Sequence, residues 1–117
     1  MEKLIFQIPA VKNTPELLNM GGRDLAGNLY QADQKSLLVN GKRIIPVMGE
    51  IHFSRLKQEE WKEAILKMRA GGVNIAATYV FWNHHEERQG EWDFSGCRDL
   101  RKFLDVCRAL DMKVWLR

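Results

Sequence analysis

Two stretches of this chain concentrate side chains that do chemistry. The first, Gly49-Glu50-Ile51-His52-Phe53-Ser54-Arg55, offers a carboxylate, an imidazole, a hydroxyl and a guanidinium. The second, Thr78-Tyr79-Val80-Phe81-Trp82-Asn83-His84-His85-Glu86, adds a phenol, an amide, further imidazoles, a carboxylate and large aromatic rings. His52, His84, His85 and Glu86 are metal-ligating types. Adjacent His84 and His85 point to opposite sides of an extended backbone, and no Cys-x-x-Cys or His-Glu-x-x-His spacing supports them, so no metal is expected. Glu50 and Glu86 are of the type that serves as general acid or base. The favoured reading for both is an ion pair or hydrogen bond that orders the site, with Arg55 as a partner. Ser54 and Ser95 lack the Gly-x-Ser-x-Gly setting of an activated serine. Tyr79, Phe81, Trp82 and Trp92 point toward sugar: pyranose C–H faces pack on aromatic rings, and sugar hydroxyls need Tyr, Asn, His and carboxylate partners. The plainer role for Phe81, Trp92 and Phe94 is packing beneath the loop.

The elements that position these groups are legible in the pattern. Residues 44–48 form an apolar run leading into the first stretch, and residues 73–80 another leading into the second. The second run alternates little, as in a strand buried on both faces. Between them, Trp61, Ala64, Ile65 and Met68 repeat at i, i+3, i+4 and i+7, which predicts a helix over 59–70. Glu59 and Glu60 lie in its first turn, Lys67 and Arg69 in its last, and Gly71-Gly72 ends it. Residues 83–96 read as a polar loop carrying Trp92 and Phe94. Leu100, Phe103, Leu104, Cys107 and Leu110 give a second helical stripe, and residues 113–116 begin a third strand. Strand, helix, strand, helix, strand with short connections is an α/β pattern with a parallel sheet, whose working groups sit at the strands' carboxyl ends. Ahead of it, residues 36–39, Asn40-Gly41 and 42–47 read as a hairpin, because Asn-Gly supplies the positive φ angles of a tight turn. Residues 14–22 read as one helical turn, with Thr14 as N-cap, Pro15 at the first position and Gly21-Gly22 as the stop, or equally as a loop. Gly21-Gly22 is no phosphate loop; the later glycines and lysine of that motif are missing.

The 117 residues suit one domain, but the chain ends inside the apolar run Val114-Trp115-Leu116-Arg117. This predicts an N-terminal fragment, since a strand rarely ends a natural domain without a cap or turn. Lys and Arg total 18 against 15 Asp and Glu, for a net charge of +3. The signs alternate, as in Asp99, Arg101, Lys102, Asp105 and Arg108, so no nucleic-acid partner is expected. No stretch is long and apolar enough for a membrane span. The opening Met1 to Pro9 is too short and polar for a signal peptide, which leaves the compartment unassigned. Cys97 and Cys107 on one helix would lie about 15 Å apart, beyond the ~7 Å a disulfide allows. Both are expected as free thiols, Cys107 as a small core residue.

Taken in order, these motifs resemble the opening of a known family. They are Gly49 to Arg55, Trp61 with Lys67-Met68-Arg69-Ala70-Gly71-Gly72-Val73-Asn74, Thr78 to Asn83 with His85-Glu86, Gly90-Glu91-Trp92-Asp93-Phe94-Ser95-Gly96 with Asp99-Leu100, and Val114 to Arg117. The set is similar to the family 35 glycoside hydrolases, the β-galactosidases, over residues 37–117. The wording Pro46-Val47-Met48-Gly49-Glu50 with His84-His85-Glu86 looks closer to the bacterial branch than to the animal lysosomal one.

The resemblance implies a division into an unassigned extension, 1–33, and the N-terminal part of a catalytic (β/α)₈ TIM barrel, 34–117. That part would comprise the first three strands and two helices, preceded by the β-hairpin. It implies retaining hydrolysis of terminal β-galactosides in carbohydrate metabolism through a covalent galactosyl-enzyme, with two carboxyl groups about 5 Å apart. In the family both glutamates come from later strands and the acid/base follows an asparagine. This chain has no Asn-Glu pair, so neither Glu50 nor Glu86 is expected to be catalytic, and both catalysts are expected beyond Arg117. Tyr79 carries over as the galactose-binding residue, with Trp82, Asn83 and Glu86 as further substrate contacts. Glu50, His52, Arg55 and His85 carry over as structural residues of the barrel mouth. The implied partner is a galactose-containing oligosaccharide or polysaccharide, with no cofactor, and the oligomeric state is open. Family members are often secreted, periplasmic or lysosomal. Three strands of eight cannot close a barrel, so residues 1–117 alone are expected neither to fold stably nor to cleave galactosides. The alternatives are a non-catalytic carbohydrate-binding barrel and a retaining exo-glycosidase for another sugar.

Overall fold

The computed structural model describes residues 16–117, which fall into two compact units divided between Ile45 and Pro46. The first holds a four-stranded antiparallel sheet, β1 (Leu17–Arg23), β2 (Leu29–Asp33), β3 (Leu37–Val39) and β4 (Lys42–Ile44), paired in that order. The hairpin read from Asn40-Gly41 is β3–β4, with φ of 51° and 76° at the turn. It is half of a larger sheet, so a boundary at residue 33 would cut between two paired strands. Over residues 17–22 the structure shows neither the helical turn nor the loop read there. Thr14 and Pro15 lie outside the described residues, and Leu17–Arg23 is a strand. Gly21 permits this: a Cβ there would sit 2.4 Å from the Tyr30 carbonyl oxygen. Asp33, buried at the end of β2, accepts from Arg43 at 2.9 and 2.5 Å and from the N–H groups of Lys35 and Ser36. The Arg43 guanidinium holds its carboxyl well below the usual range.

The second unit carries the α/β pattern. Its parallel sheet has the order β5 (Met48–Glu50), β6 (Ile75–Thr78), β7 (Lys113–Leu116), with Glu50 opposite Ala77 and Ala77 opposite Trp115. The strand expected at 44–48 is displaced toward the carboxyl side. Pro46 has no N–H to donate and holds Ile45 extended, so the β4 ladder stops before it and β5 starts after it. Helix α1 (Gln58–Ala70) follows β5, with the Glu60 carboxylate accepting from the Lys57 N–H at 2.8 Å. Helix α3 (Leu100–Ala109) follows β6, with Asp99 capping the Lys102 N–H at 2.9 Å. Between them residues 82–85 are not loop but a single helical turn, α2 (Trp82–His85).

Trp61, Ile65, Phe103 and Cys107, all fully buried, close the core with Phe53, Ala76 and Met112. The rings of Phe53, Trp61 and Phe103 meet at 5.1–6.1 Å, and the Trp61 indole donates to the Phe53 carbonyl at 2.9 Å. Gly49 lets α1 approach the sheet: a Cβ there would stand 2.9 Å from Met68 Cε and 3.1 and 3.2 Å from the Val73 methyls. Burial pushes the Cys107 thiol up to about 11, and both cysteines are free.

Candidate functional site

The three strands of the parallel sheet deliver different groups to one end. Glu50 is the last residue of β5, and His52 follows it just before a short 3₁₀ turn, Phe53–Arg55. Tyr79 follows β6, and Arg117 follows β7. Because β6 lies between β5 and β7, Glu50 and Arg117 flank the strand that carries Tyr79. The Arg117 guanidinium donates to Glu50 Oε2 at 2.7 Å and stands 4.2 Å from the centre of the Tyr79 ring. His52 Nε2 lies 3.3 Å from Glu50 Oε1. The rings of His52, Tyr79 and Phe81 stack on one another, with centroids 5.5–5.9 Å apart and planes within 18°. The cation over the phenol face is itself held by Glu50, which fixes the phenol's direction.

The partners of Glu50 are Arg117 and His52, rather than the Arg55 read from the sequence. Arg55 is exposed. It lines a neighbouring cavity of about 330 Å³ with Ser54, Phe81, Asn83 and His84. Asn83 thus borders the cluster through Phe81 and lies outside the ring stack.

Glu86 and His85 belong to the loop beyond. Glu86 accepts from the Trp82 indole N–H with one oxygen and from the Gly90 N–H at 2.7 Å with the other. Both oxygens of Glu86, read above both as an ordering group and as a substrate contact, are engaged within the loop. His85 is buried between Phe94 at 4.7 Å and Phe53 at 6.3 Å, and its Nδ1 meets the Asp93 carbonyl at 3.1 Å. That contact makes Nδ1 the protonated nitrogen. His85 is a core residue that carries the loop on its ring. Among the described residues no group of three or more His, Cys, Asp or Glu side chains could hold a metal ion.

Sequence reasoning assigned no site role to Arg117, and it read Phe81 as a sugar-stacking or packing ring rather than as a partner of Tyr79 and His52. Nothing local marks either partnership. Arg117 meets Glu50 only because the topology places β5 and β7 on either side of β6.

Residues 36–117 match the family described as glycosyl hydrolases family 35. Beta-galactosidase 11 of Arabidopsis thaliana is 44% identical over 85 residues, which is 73% of this chain and 10% of that protein. Beta-galactosidase 14 of the same plant gives the same figures. Beta-galactosidase 11 of Oryza sativa subsp. japonica is 37% identical over 91 residues, 78% of this chain and 11% of that protein. These relatives are plant proteins, so the closeness to a bacterial branch read from Pro46-Val47-Met48-Gly49-Glu50 is not supported. The chain spans about a tenth of the length of the curated relatives it matches.

Proposed function

This chain belongs to family 35 of the glycosyl hydrolases, and we propose that it forms the first strands of a (β/α)₈ barrel that removes terminal β-galactose residues with retention. One observation carries the reading: Tyr79, at the carboxyl end of the central strand, is in contact with the Arg117 guanidinium and with the His52 and Phe81 rings. A phenol held this way presents its hydroxyl in a fixed direction, as recognition of a sugar hydroxyl requires. Glu50 and Glu86 are committed to Arg117 and to the loop. The acid/base and nucleophile are therefore two other glutamates of the whole protein, and residues 1–117 alone turn over nothing.

The test is turnover of a chromogenic β-galactoside by the whole protein and by its Tyr79→Phe variant. The variant is expected to lose about tenfold or more in kcat/KM, the scale of one lost hydrogen bond to a buried sugar hydroxyl. Full activity in Tyr79→Phe would remove Tyr79 from the sugar pocket. Turnover of a different glycoside only would reassign the sugar, and binding without turnover would make the barrel a lectin.

A further inference from the structure

Helix α2 and the segment between it and α3 carry a second set of rings. Trp82, Trp92 and Phe94 are 69%, 51% and 48% exposed. Large aromatic side chains left in solvent as a group mark a binding surface. These rings are also held still. The Trp82 N–H is taken by Glu86, so only its apolar faces are on offer. Trp92 meets Trp82 edge to face at 5.2 Å and lies parallel to Phe94, 6° apart in plane at 6.1 Å. Phe94 in turn rests on the buried His85.

Beside Trp92 is a cavity of about 380 Å³ whose other walls are Glu87, Arg88, Glu91, Asp93 and Arg98. Its charges are paired. Arg98 joins Glu87 and, at 3.0 Å, Asp93; Arg88 lies 4.0 Å from Glu91. Paired charges leave no free cation to hold an anion. Their spare lone pairs and N–H groups still bond hydroxyls, which are both donor and acceptor. A flat apolar face beside ion-paired hydrogen-bonding groups, three carboxylates against two guanidiniums, matches a pyranose ring and its hydroxyls and disfavours an anion.

We propose that Trp92 and this cavity form a second saccharide-binding surface, distinct in its residues from the Tyr79 cluster, that holds a neutral polysaccharide chain. Phe94 extends the stacking face, and Glu87, Asp93 and Arg98 take the hydroxyls.

The test is affinity electrophoresis of the whole protein in gels cast with a soluble linear β-galactan, a probe whose choice rests on the activity proposed above. The wild type is expected to be retarded, and saturating free galactose, which occupies a galactose pocket, is expected to leave the retardation in place. Trp92→Ala is expected to bind about tenfold more weakly, as one lost stacked ring implies, with unchanged turnover of a small chromogenic galactoside. Trp92→Phe is expected to keep most of the binding. Four results would each overturn the proposal: no retardation, release by galactose, undiminished retardation of Trp92→Ala, or stronger retardation by carboxylated galacturonan. The galactose arm needs no variant, so it decides even where Trp92→Ala fails to fold. Retardation without galactoside turnover would uphold this surface while refuting the proposed activity.

Discussion

Replacing Trp61 with phenylalanine is expected to loosen the turn that carries His52. Trp61 is fully buried in the first turn of α1, and its indole N–H donates to the Phe53 carbonyl at 2.9 Å. The variant loses that bond, but the carbonyl is not orphaned, because it still accepts from the Leu56 N–H at 3.1 Å. The hydrogen bond therefore costs about 1 kcal/mol. Shrinking an indole to a phenyl between Phe53 and Phe103 leaves a partial void, which adds roughly 1–2 kcal/mol. A total of about 2–3 kcal/mol means amide exchange roughly 30- to 150-fold faster wherever exchange needs this unit to open. The assay is hydrogen exchange by mass spectrometry on peptides covering residues 48–62 of the whole protein. Glu63→Gln serves as the control. Glu63 is exposed on the same helix and pairs with exposed Lys67, so its loss stays within about 0.5 kcal/mol. If Trp61→Phe exchanges no faster than Glu63→Gln, the indole does not hold β5's following turn to α1, and the core described above is wrongly apportioned.

Gly49→Val is expected to lower the melting temperature, with a cost of about 1–3 kcal/mol from overpacking against Met68 and Val73; combining it with Met68→Ala should recover part of the loss, and simple additivity would refute the clash. Asp33 has its folded pKa depressed by Arg43. Its contribution is therefore present above the unfolded value near 4 and lost as pH falls below it. Melting curves between pH 6 and 3 should show a decline that Asp33→Asn flattens, and an equally steep decline in the variant would count against the ion pair. At pH 8 a thiol reagent should modify the half-buried Cys97 in the native protein and spare Cys107, whose thiol burial pushes up to about 11; peptide mapping showing Cys107 modified first would contradict the packing.

The sequence pattern was most informative where local chemistry decides the structure. Asn40-Gly41 turns as its residue types require, Trp61 and Ile65 face the core as their spacing predicts, and the third strand falls at Lys113–Leu116. It was least informative where distant partners decide. Leu17–Arg23 has no alternation and two glycines, and it is a strand only because β2 lies beside it. Trp82–His85 is too short for a 3.6-residue period to register. In the candidate site, the residue types gathered at the carboxyl ends of the strands, but the partnerships did not follow from them. Arg55 stood nearer in sequence to Glu50 than Arg117 does, yet strand order gives Glu50 to Arg117.

That pairing sets an order of events during synthesis. Glu50 and Arg117 are 67 residues apart, and a ribosome adds roughly 5–20 residues per second. For several seconds after Glu50 is made, its carboxylate and the Tyr79 ring await a guanidinium that does not yet exist. The clamp on Tyr79 is thus a late, long-range contact, which closes only when β7 has docked against β6. The Tyr79 phenol gains its fixed direction only then, as a report that the order of the three strands beneath it is correct.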